Sequence, residues 1–255
     1  MPTIIAKKKD WWTFLNHIEI MAETCEVQMT ENKMTVHEPG WGNIASVESE
    51  CAAKIKDPKP VAMEPRKMMQ ALLMIVSDDI TVKWDDATIT ITGEHQYVKL
   101  VVPAYEPPKR RVPKLNAFFV EFSLPMEGIR RIMDLAAKMM HASQYSGILY
   151  TLKCTKADGV KMSIGNISVD KCESEHTISS PAGVKWMTGD EDQCMSQFGA
   201  SFRKLMDAGD SAVVKLGQDY PIVMQVDVGA VKTTYILAHT KDDEEMSKMR
   251  GVREK

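Results

Sequence analysis

Two stretches of similar sequence lie 132 residues apart in this chain. Residues 73–84 read LMIVSDDITVKW and residues 205–216 read LMDAGDSAVVKL. In both, a helical pattern ends at an acidic turn and an alternating strand pattern follows. An earlier pair, Thr30–Val36 and Lys156–Met162, recurs in the same order with a similar offset. The repeat is too long for a solenoid and suits a duplicated domain of ordinary size. We therefore predict two copies of one domain.

The composition excludes several classes of protein. With 44% hydrophobic and 26% charged residues, the chain has the composition of a globular protein. Its net charge of −3 excludes a polycation that coats nucleic acid, but not cations gathered on one surface. No apolar run approaches the roughly 18 residues that span a membrane, and the N-terminus does not read as a signal peptide. We expect a cytosolic protein, or a nuclear one in a eukaryote, with no membrane partner.

The residues that carry common catalytic chemistry show no recognisable arrangement. Five scattered cysteines without a CxxC pair predict reduced, structural thiols. The six histidines lack metal-ligand spacing, and no glycine-rich phosphate loop or nucleophile elbow occurs. We therefore predict no metal, no cofactor and no catalytic residue. A binding or scaffold protein is favoured over an enzyme.

Hydrophobic periodicity predicts two helices and several antiparallel strands in each half, which is an α+β fold. The predicted helices span Lys9–Glu23, Met63–Val76, Met126–His141 and Glu191–Ala208. Strands of the first half are expected at Met34–His37, Ile44–Glu50, Ile80–Trp84, Thr88–Thr92 and Tyr97–Val102. Strands of the second half are expected at Ala117–Leu124, Gly147–Cys154, Val160–Ile164, Ser211–Leu216, Pro221–Val228 and Thr233–His239.

The prolines and charges of the chain suggest its domain boundaries. Tyr105–Phe119 contains three prolines and a basic cluster, which is typical of a stiff, extended connector. We predict an N-terminal domain over residues 1–104, a connector over 105–122 and a C-terminal domain over 123–241. The charged residues 242–255 are expected to form a disordered tail.

Four local sequences, in order along the chain, resemble the DNA sliding clamps of the proliferating cell nuclear antigen (PCNA) family. Val112–Phe119 resembles the end of that family's interdomain connector, and Lys156–Ile164 resembles a strand entry in its second domain. Asp219–Val226 resembles its proline-led strand. Thr233–Glu245 resembles its terminal strand, with His239 where proline is usual. The first domain is the more divergent, notably at His37–Glu48.

The resemblance implies a specific fold and function. Clamps of this family have duplicated domains, each with two helices packed on antiparallel sheets, and three subunits close into a ring whose helices line the hole. The implied function is a non-enzymatic processivity factor for DNA replication and DNA repair that encircles duplex DNA without reading its sequence. The implied partners are DNA polymerase, a clamp loader, and nuclease- and ligase-type clients. An archaeal or related viral clamp is expected, acting in the cytoplasm of an archaeal or virus-infected host cell.

The resemblance places DNA-facing cations on the helices, where phosphate attraction without base readout permits sliding. Three of the four predicted helices carry cations opposite their apolar stripes, whereas the first has cations only at its start and an acidic Glu19. The candidate DNA-binding residues are Lys7, Lys8, Lys9, Arg66, Lys67, Arg130, Arg131, Lys138, Arg203 and Lys204.

The resemblance also implies a groove beside the connector, where clients insert a short motif with a glutamine, an aliphatic residue and paired aromatics. The matching partner-binding residues are Ile44, Val112, Pro113, Leu115, Pro221, Ile236, Leu237, Ala238 and His239. Subunits of the family join through one edge strand from each domain. The candidates here are Tyr97–Val102 and a stretch within Ser168–Ser179.

Three other functions remain open at this point. The chain is either a homotrimeric clamp or one subunit of a heterotrimeric or checkpoint-type clamp, which would explain the divergent first domain. The weakly basic first helix keeps open a clamp-fold scaffold that no longer binds DNA. An enzyme with a duplicated α+β core is the alternative from a different class.

Overall fold

The computed structural model describes residues 1–40, 45–106, 115–139, 148–166, 174–189 and 191–240. The chain forms two compact units. The first contains Met1–Lys114 and Gln225–Ile236, and the second contains Leu115–Met224 and Leu237–Lys255. Compared with the predicted domains, residues 225–236 belong to the first unit although they lie late in the sequence. Residues 107–114 of the predicted connector and the predicted tail lie outside the described residues.

The described part of the first copy of the repeat contains nine strands and two helices, and all of its strand pairs with a defined register are antiparallel. The elements are β1 (Thr3–Lys7), α1 (Lys8–Glu19), β2 (Cys25–Met29), β3 (Lys33–Gly40), β4 (Ala45–Ala52), β5 (Lys54–Lys56), β6 (Val61–Met63), α2 (Pro65–Leu73), β7 (Asp79–Trp84), β8 (Thr88–Thr92) and β9 (Tyr97–Val101).

The described part of the second copy repeats this order of elements. They are β10 (Val120–Pro125), α3 (Met126–Met139), β11 (Ile148–Thr155), β12 (Gly159–Asn166), β13 (Ser174–Ser179), β14 (Val184–Trp186), β15 (Gln193–Phe198), α4 (Ser201–Leu205), β16 (Ser211–Leu216), β17 (Ile222–Val228) and β18 (Val231–Leu237). A short 3-10 helix at Pro181–Gly183 is the one addition among these residues.

The order of the strands in the sheets is also duplicated. The order β5-β1-β7-β8-β9 of the first copy corresponds to β14-β10-β16-β17-β18 of the second. Likewise, β4-β3-β2-β6 corresponds to β13-β12-β11-β15. One neighbour differs between the copies: β18 lies beside β4, whereas β9 and β13 end their sheets. The predicted duplication and α+β class are thereby confirmed.

Aromatic side chains fill the core of each unit. In the first unit Trp11 stacks on Phe14, with ring centroids 5.6 Å apart, and meets the edge of Trp84 at 6.4 Å. In the second unit Phe202 packs against Phe198 at 5.3 Å and against Tyr150 at 5.9 Å. All of these rings are buried. Such rings bury large apolar areas, so each unit has a core of its own.

Glycine explains one of the motifs that the sequence singled out. Gly159 begins β12 after a tight turn and has a φ of +78°, a conformation that a side chain disfavours. A Cβ atom there would also lie 2.2 Å from the carbonyl oxygen of Ser179 on β13. The Asp-Gly dipeptide of this repeat segment therefore serves both the turn and the close approach of β13.

The helix predicted over Glu191–Ala208 is wrong in its first half. Gln193–Phe198 is the strand β15, and only Ser201–Leu205 is helical. Burial in β15 alternates, with Cys194, Ser196 and Phe198 turned inward, because the strand pairs with β11. The second predicted helix is also shorter than expected, since Met63 ends β6 and Pro65 fixes the first helical position.

The other predicted elements agree with the structure to within a few residues. β8 and β16 coincide with their predicted ranges, and α1 and α3 start within one residue of theirs. The sequence did not predict β1, β2, β5, β6, β14 or β15, which are short or lack a long alternating run. Cys25, Cys51, Cys154 and Cys194 are free and buried, while Cys172 lies outside the described residues.

Candidate functional site

The cations at the start of α1 differ in how strongly they are engaged. Lys7 forms a salt bridge with Asp79 at 2.7 Å, and its hydrogen bond with that carboxylate raises the pKa of Lys7. The Nζ of Lys8 donates to the carbonyl oxygen of Ile75 at 2.5 Å. Lys9 is exposed and makes no salt bridge with any described residue. Of these three lysines, Lys9 therefore offers the most available charge.

The two predicted cations of α2 lie on its exposed side. Lys67 pairs with Glu64, three residues earlier, at 2.8 Å. Arg66 is exposed and has no acidic partner among the described residues. The helix carries no acidic residue in its first turn, so only Glu64, just before Pro65, offsets this charge.

Between α3 and α4, arginines and aspartates form an ion-pair cluster. Arg203 binds Asp134 through two nitrogens, at 2.7 and 3.2 Å, and Asp207 through a third, at 3.0 Å. Arg130 approaches Asp207 at 3.6 Å. The Arg203 side chain is only 14% exposed. Burial disfavours its charge, but the hydrogen bonds with Asp134 and Asp207 outweigh burial and raise the pKa of Arg203. We infer that Arg203 holds the two helices together.

The remaining cations of α3 and α4 are exposed. Arg131 pairs with Glu127 one turn earlier at 2.5 Å, and Lys138 has no acidic partner within the described part of the chain. Lys204 is exposed on α4. Surface ion pairs of the Arg131 type contribute little stability. The helices thus carry more cations than anions, and four of these cations, Lys67, Arg130, Arg131 and Arg203, pair with an acidic side chain.

The predicted partner-binding residues fall mainly in the second unit. Leu115, Pro221 and Leu237–His239 belong to it, whereas Ile236 belongs to the first unit. Leu237 is buried and the others are half-buried. Ile44, Val112 and Pro113 lie outside the described residues. Just after His239, Thr240 donates its N–H to the carbonyl oxygen of Gln197 on β15 at 2.7 Å, so this strand fixes the C-terminal part of the site.

The two predicted assembly strands are both sheet edges. Among the described strands, β9 pairs only with β8 and β13 pairs only with β12. Near β9, the end of α2 exposes Leu73 (70%) and the next residues expose Val76 (80%). In the second unit, α3 exposes Leu135 (60%) and Met139 (72%). Clustered exposed aliphatic side chains beside an unpaired strand are typical of an association surface.

Sequence patterns did not reveal several polar residues that fix the chain next to Pro221 and at Tyr105. Ser196 and Tyr220 hold the chain around Pro221, and Glu38 accepts hydrogen bonds from Tyr105 and from the N–H of Glu26. Their partners lie 12 to 104 residues away in the sequence. The only signal available was that Glu38 occupies an inward position of an alternating strand.

The described ranges contain neither a metal-binding cluster nor a membrane-spanning helix. No group of three or more histidine, cysteine, aspartate or glutamate side chains there has the geometry of a metal site. No helix among these residues is long and apolar enough to cross a membrane. Burial also raises the pKa of Cys51 to about 12, so this thiol is unreactive at neutral pH.

Comparison with known proteins rests on structure. No family sequence model matches the chain, and no curated protein sequence is significantly similar to it. Solved structures do match. One match is A. fulgidus PCNA, solved with the C-terminal region of FEN-1 bound to it. It has a TM-score of 0.72 and 15% identity. The match covers 95% of this chain and 99% of that one.

Two further clamps give similar values. PCNA from Thermococcus kodakaraensis has a TM-score of 0.71 and 12% identity, over 94% of this chain and all of that one. The PCNA of Entamoeba histolytica has a TM-score of 0.74 and 13% identity, over 94% and 98% of the two chains. The chain therefore has the fold of the PCNA sliding clamps, as the resemblance predicted.

Proposed function

We propose that this chain is a DNA sliding clamp that closes with two further copies into a ring around duplex DNA. The ring tethers replication and repair enzymes and is not itself an enzyme. The fold supports this proposal at the level of the single chain. Support for a nuclease-type client comes from the A. fulgidus clamp, which was solved with the C-terminal region of FEN-1.

The observation that carries the ring proposal is the difference between the two copies of the repeat. β18 and β9 hold equivalent places, and so do β4 and β13. Inside the first unit β18 lies beside β4, but β9 and β13 have no such neighbour in the described chain. If a second copy paired its β13 with β9 of the first copy, the contact would repeat the pairing of β18 with β4 inside one chain, which we call the internal junction. Because each chain has one edge of each kind, this contact is head-to-tail, and we propose that the rotation from copy to copy closes it into a ring.

The internal junction also predicts which side chains meet in the ring. In the first unit α1 contacts β4, and its His17 lies against Tyr235 of β18, with ring centroids 6.3 Å apart. In the second copy α3 takes the place of α1. Its exposed Leu135 and Met139 would then cover the α2–β9 side of a neighbouring copy, where Leu73 and Val76 are exposed. Burying such residues supplies the apolar core that a stable interface needs.

DNA contact is assigned chiefly to Lys9, Arg66 and Lys138, which have no acidic partner among the described residues. Each unpaired cation can neutralise a phosphate and release its counterion without first breaking an ion pair. A closed ring stays on DNA by topology, so weak phosphate contacts are sufficient for function. One chain supplies both kinds of edge, so a homotrimer needs no second type of subunit; a heterotrimeric or checkpoint-type clamp would use the same edges.

A second candidate function is a ring-forming scaffold that does not encircle DNA. It is favoured by the ion pairs of Lys7, Lys67, Arg131 and Arg203, which neutralise much of the helix charge. The two functions share the same assembly, so only a DNA measurement separates them.

The ring is tested by the solution mass from light scattering on a sizing column. A closed homotrimer has about 86 kDa, three times the 28.6 kDa of one chain, and should persist on dilution. A monomer or dimer at all concentrations would exclude the self-sufficient homotrimer.

The DNA function is tested by loading the ring with a clamp loader onto nicked circular DNA. Retention on the circle and loss after linearisation support the clamp, whereas no loading supports the scaffold.

A further inference from the structure

A turn in the second unit binds the segment that leads from the connector into β10. The turn consists of residues 216–220 and the segment of residues 116–119. Phe119 donates its N–H to the carbonyl oxygen of Leu216 at 2.9 Å. Asn116 donates its N–H to the hydroxyl oxygen of Tyr220 at 3.3 Å. The rings of Phe118 and Tyr220 meet edge to face, with centroids 5.5 Å apart and planes at 78°. Three contacts within four residues fix a segment that has no regular secondary structure.

The close approach of segment and turn depends on a glycine. A Cβ atom added to Gly217 would lie 2.3 Å from the carbonyl oxygen of Ala117 and 3.1 Å from the Cβ of Tyr220. No side chain fits at that distance from a backbone atom. Gly217 therefore allows the segment to lie directly on the turn, which brings Tyr220 within reach of Asn116 and Phe118.

The turn itself is anchored to β15. The buried Ser196 hydroxyl accepts the N–H of Tyr220 at 3.0 Å and lies 3.1 Å from two carbonyl oxygens, those of Gly217 and Tyr220. With one proton, it donates to one of the two carbonyls at a time. Met195 adds a backbone bond from the N–H of Asp219 at 2.8 Å. The position of Tyr220 is thus set by a strand in the core of the unit.

Through these contacts, three described stretches of the predicted partner-binding site are attached, directly or through the 216–220 turn, to the strand β15. Leu115 precedes Asn116 and Pro221 follows Tyr220. The third stretch, Leu237–His239, is held to Gln197 on β15 through Thr240. β15 was the strand that sequence periodicity had assigned to a helix, so this support was not visible in the sequence.

We propose that Tyr220 is a positioning residue for client binding, which rests on the proposed clamp function. Its ring and hydroxyl hold Asn116 and Phe118, and thereby keep Leu115 at a fixed place relative to Pro221. A client peptide with aliphatic and aromatic side chains then meets a preformed apolar surface. A surface that is ordered before binding loses less conformational entropy when the peptide arrives, so affinity depends on Tyr220 even without direct contact.

The test measures binding of a fluorescein-labelled peptide with a glutamine, an aliphatic residue and two adjacent phenylalanines to the full-length chain. The control peptide has alanines in place of both phenylalanines. Tyr220→Ala is expected to weaken binding about tenfold, whereas Tyr220→Phe keeps the ring contact and stays within about threefold of the wild type. Val213→Ala, at an exposed position of β16, is the matched control and should bind like the wild type.

Coupling between the two rings separates positioning from general destabilisation. Phe118→Leu should weaken binding by itself but add little in combination with Tyr220→Ala, since both remove one contact. Phe118→Leu also serves if Tyr220→Ala fails to fold, which light scattering and the unfolding temperature will reveal. Peptide binding by Tyr220→Ala or Phe118→Leu with wild-type affinity overturns the positioning role and leaves the clamp proposal standing. If the wild type does not distinguish the two peptides, the client site is wrong and the inference fails with it.

Discussion

A buried chain of hydrogen bonds joins three elements of the first unit through single residues. His17 Nδ1 of α1 lies 2.8 Å from the hydroxyl oxygen of Thr233 on β18, which lies 2.8 Å from that of Ser49 on β4. All three side chains are buried. Tyr235 adds a bond from its hydroxyl to the carbonyl oxygen of His17 at 3.0 Å. The network thus crosses the β18–β4 junction and attaches α1 to both strands.

Thr233→Val should destabilise this network without changing its shape. Valine is close in volume to threonine, but it removes the hydroxyl that bridges His17 and Ser49, so the buried Ser49 hydroxyl loses its hydrogen bond with Thr233. An unsatisfied buried polar group costs about 1–3 kcal/mol. We expect a loss of that size in the free energy of unfolding measured by urea denaturation. Thr234→Val, at the next position and on the opposite face of β18, is the control. Equal stability of the two variants would contradict a structural role for the network.

Glu38 predicts a specific pH dependence of stability. It is 4% exposed, and its Oε1 accepts the Tyr105 hydroxyl at 2.5 Å and the Glu26 N–H at 3.0 Å. Burial raises the pKa of Glu38 more than these hydrogen bonds lower it. In the folded chain, Glu38 therefore keeps its proton to a higher pH than in the unfolded chain, where its pKa is about 4.3.

The sign of the effect follows from proton linkage. Between the two pKa values the folded chain binds more protons than the unfolded chain, so the free energy of unfolding falls as pH rises through this window. Urea denaturation across pH 4 to 8 should show this fall in the wild type relative to Glu38→Gln, which keeps an acceptor but does not ionise. Glu23→Gln, at an exposed position, is the control. A constant difference between wild type and Glu38→Gln would show that Glu38 does not titrate in this way.

At the scale of elements, the contact between α3 and α4 separates a cation that stabilises the fold, Arg203, from a cation that we propose contacts DNA, Lys138. Arg203→Gln should lower the free energy of unfolding by about 1–3 kcal/mol, because Asp134 and Asp207 lose a charged hydrogen-bond donor. Lys138→Gln should leave stability unchanged, since it makes no described ion pair. Chemical denaturation of the two variants provides the comparison.

For DNA affinity, Lys138→Gln should have the larger effect and Arg203→Gln the smaller one, the reverse of their effects on stability. Lys138→Gln removes a free cation and should reduce the dependence of DNA affinity on salt concentration, whereas Arg203→Gln should leave that slope close to the wild type. Fluorescence anisotropy with a duplex at several salt concentrations measures both slopes. A larger change for Arg203→Gln would show that its ion pairs open when DNA binds.

The extent to which sequence predicted these elements depends on the range of the interactions. β8 was predicted within its bounds because its Thr-Ile alternation is local, and the pairing of Arg131 with Glu127 follows from their spacing of four residues. β15 was mistaken for a helix because its partner strand β11 lies about 40 residues earlier in the chain. The pairing of Arg203 with Asp134 spans 69 residues, and no local pattern contains it.

At the scale of the whole molecule, the repeat was the most reliable guide. Two short stretches of similar sequence, 132 residues apart, predicted the duplication. The duplication extends through the described strands of both copies. Identity to the structurally similar clamps is only 12–15%. The fold is therefore shared although most side chains differ. The proposed client site was less predictable, because the contacts of Ser196 and Tyr220 form only when β15 and the 216–220 turn come together.

The duplicated strand order makes a prediction about assembly that the two edges test separately. Leu73→Glu places a charge on the α2–β9 side of the first unit, and Leu135→Glu places one on α3 of the second unit. Both side chains are exposed in the single chain, so neither change should unfold it. Each variant retains one intact edge but cannot pair with itself, because a buried unpaired charge opposes association. Each should therefore have the 28.6 kDa mass of one chain.

Mixing the two variants distinguishes a head-to-tail ring from any other assembly. The intact second-unit edge of Leu73→Glu can join the intact first-unit edge of Leu135→Glu, while the two remaining edges carry the charges and cannot close. Light scattering of the mixture should give about 57 kDa, twice the mass of one chain. Val213→Glu, at an exposed position of β16, is the control and should remain a trimer. If the mixture stayed monomeric or formed trimers, the pairing of β9 with β13 would be wrong.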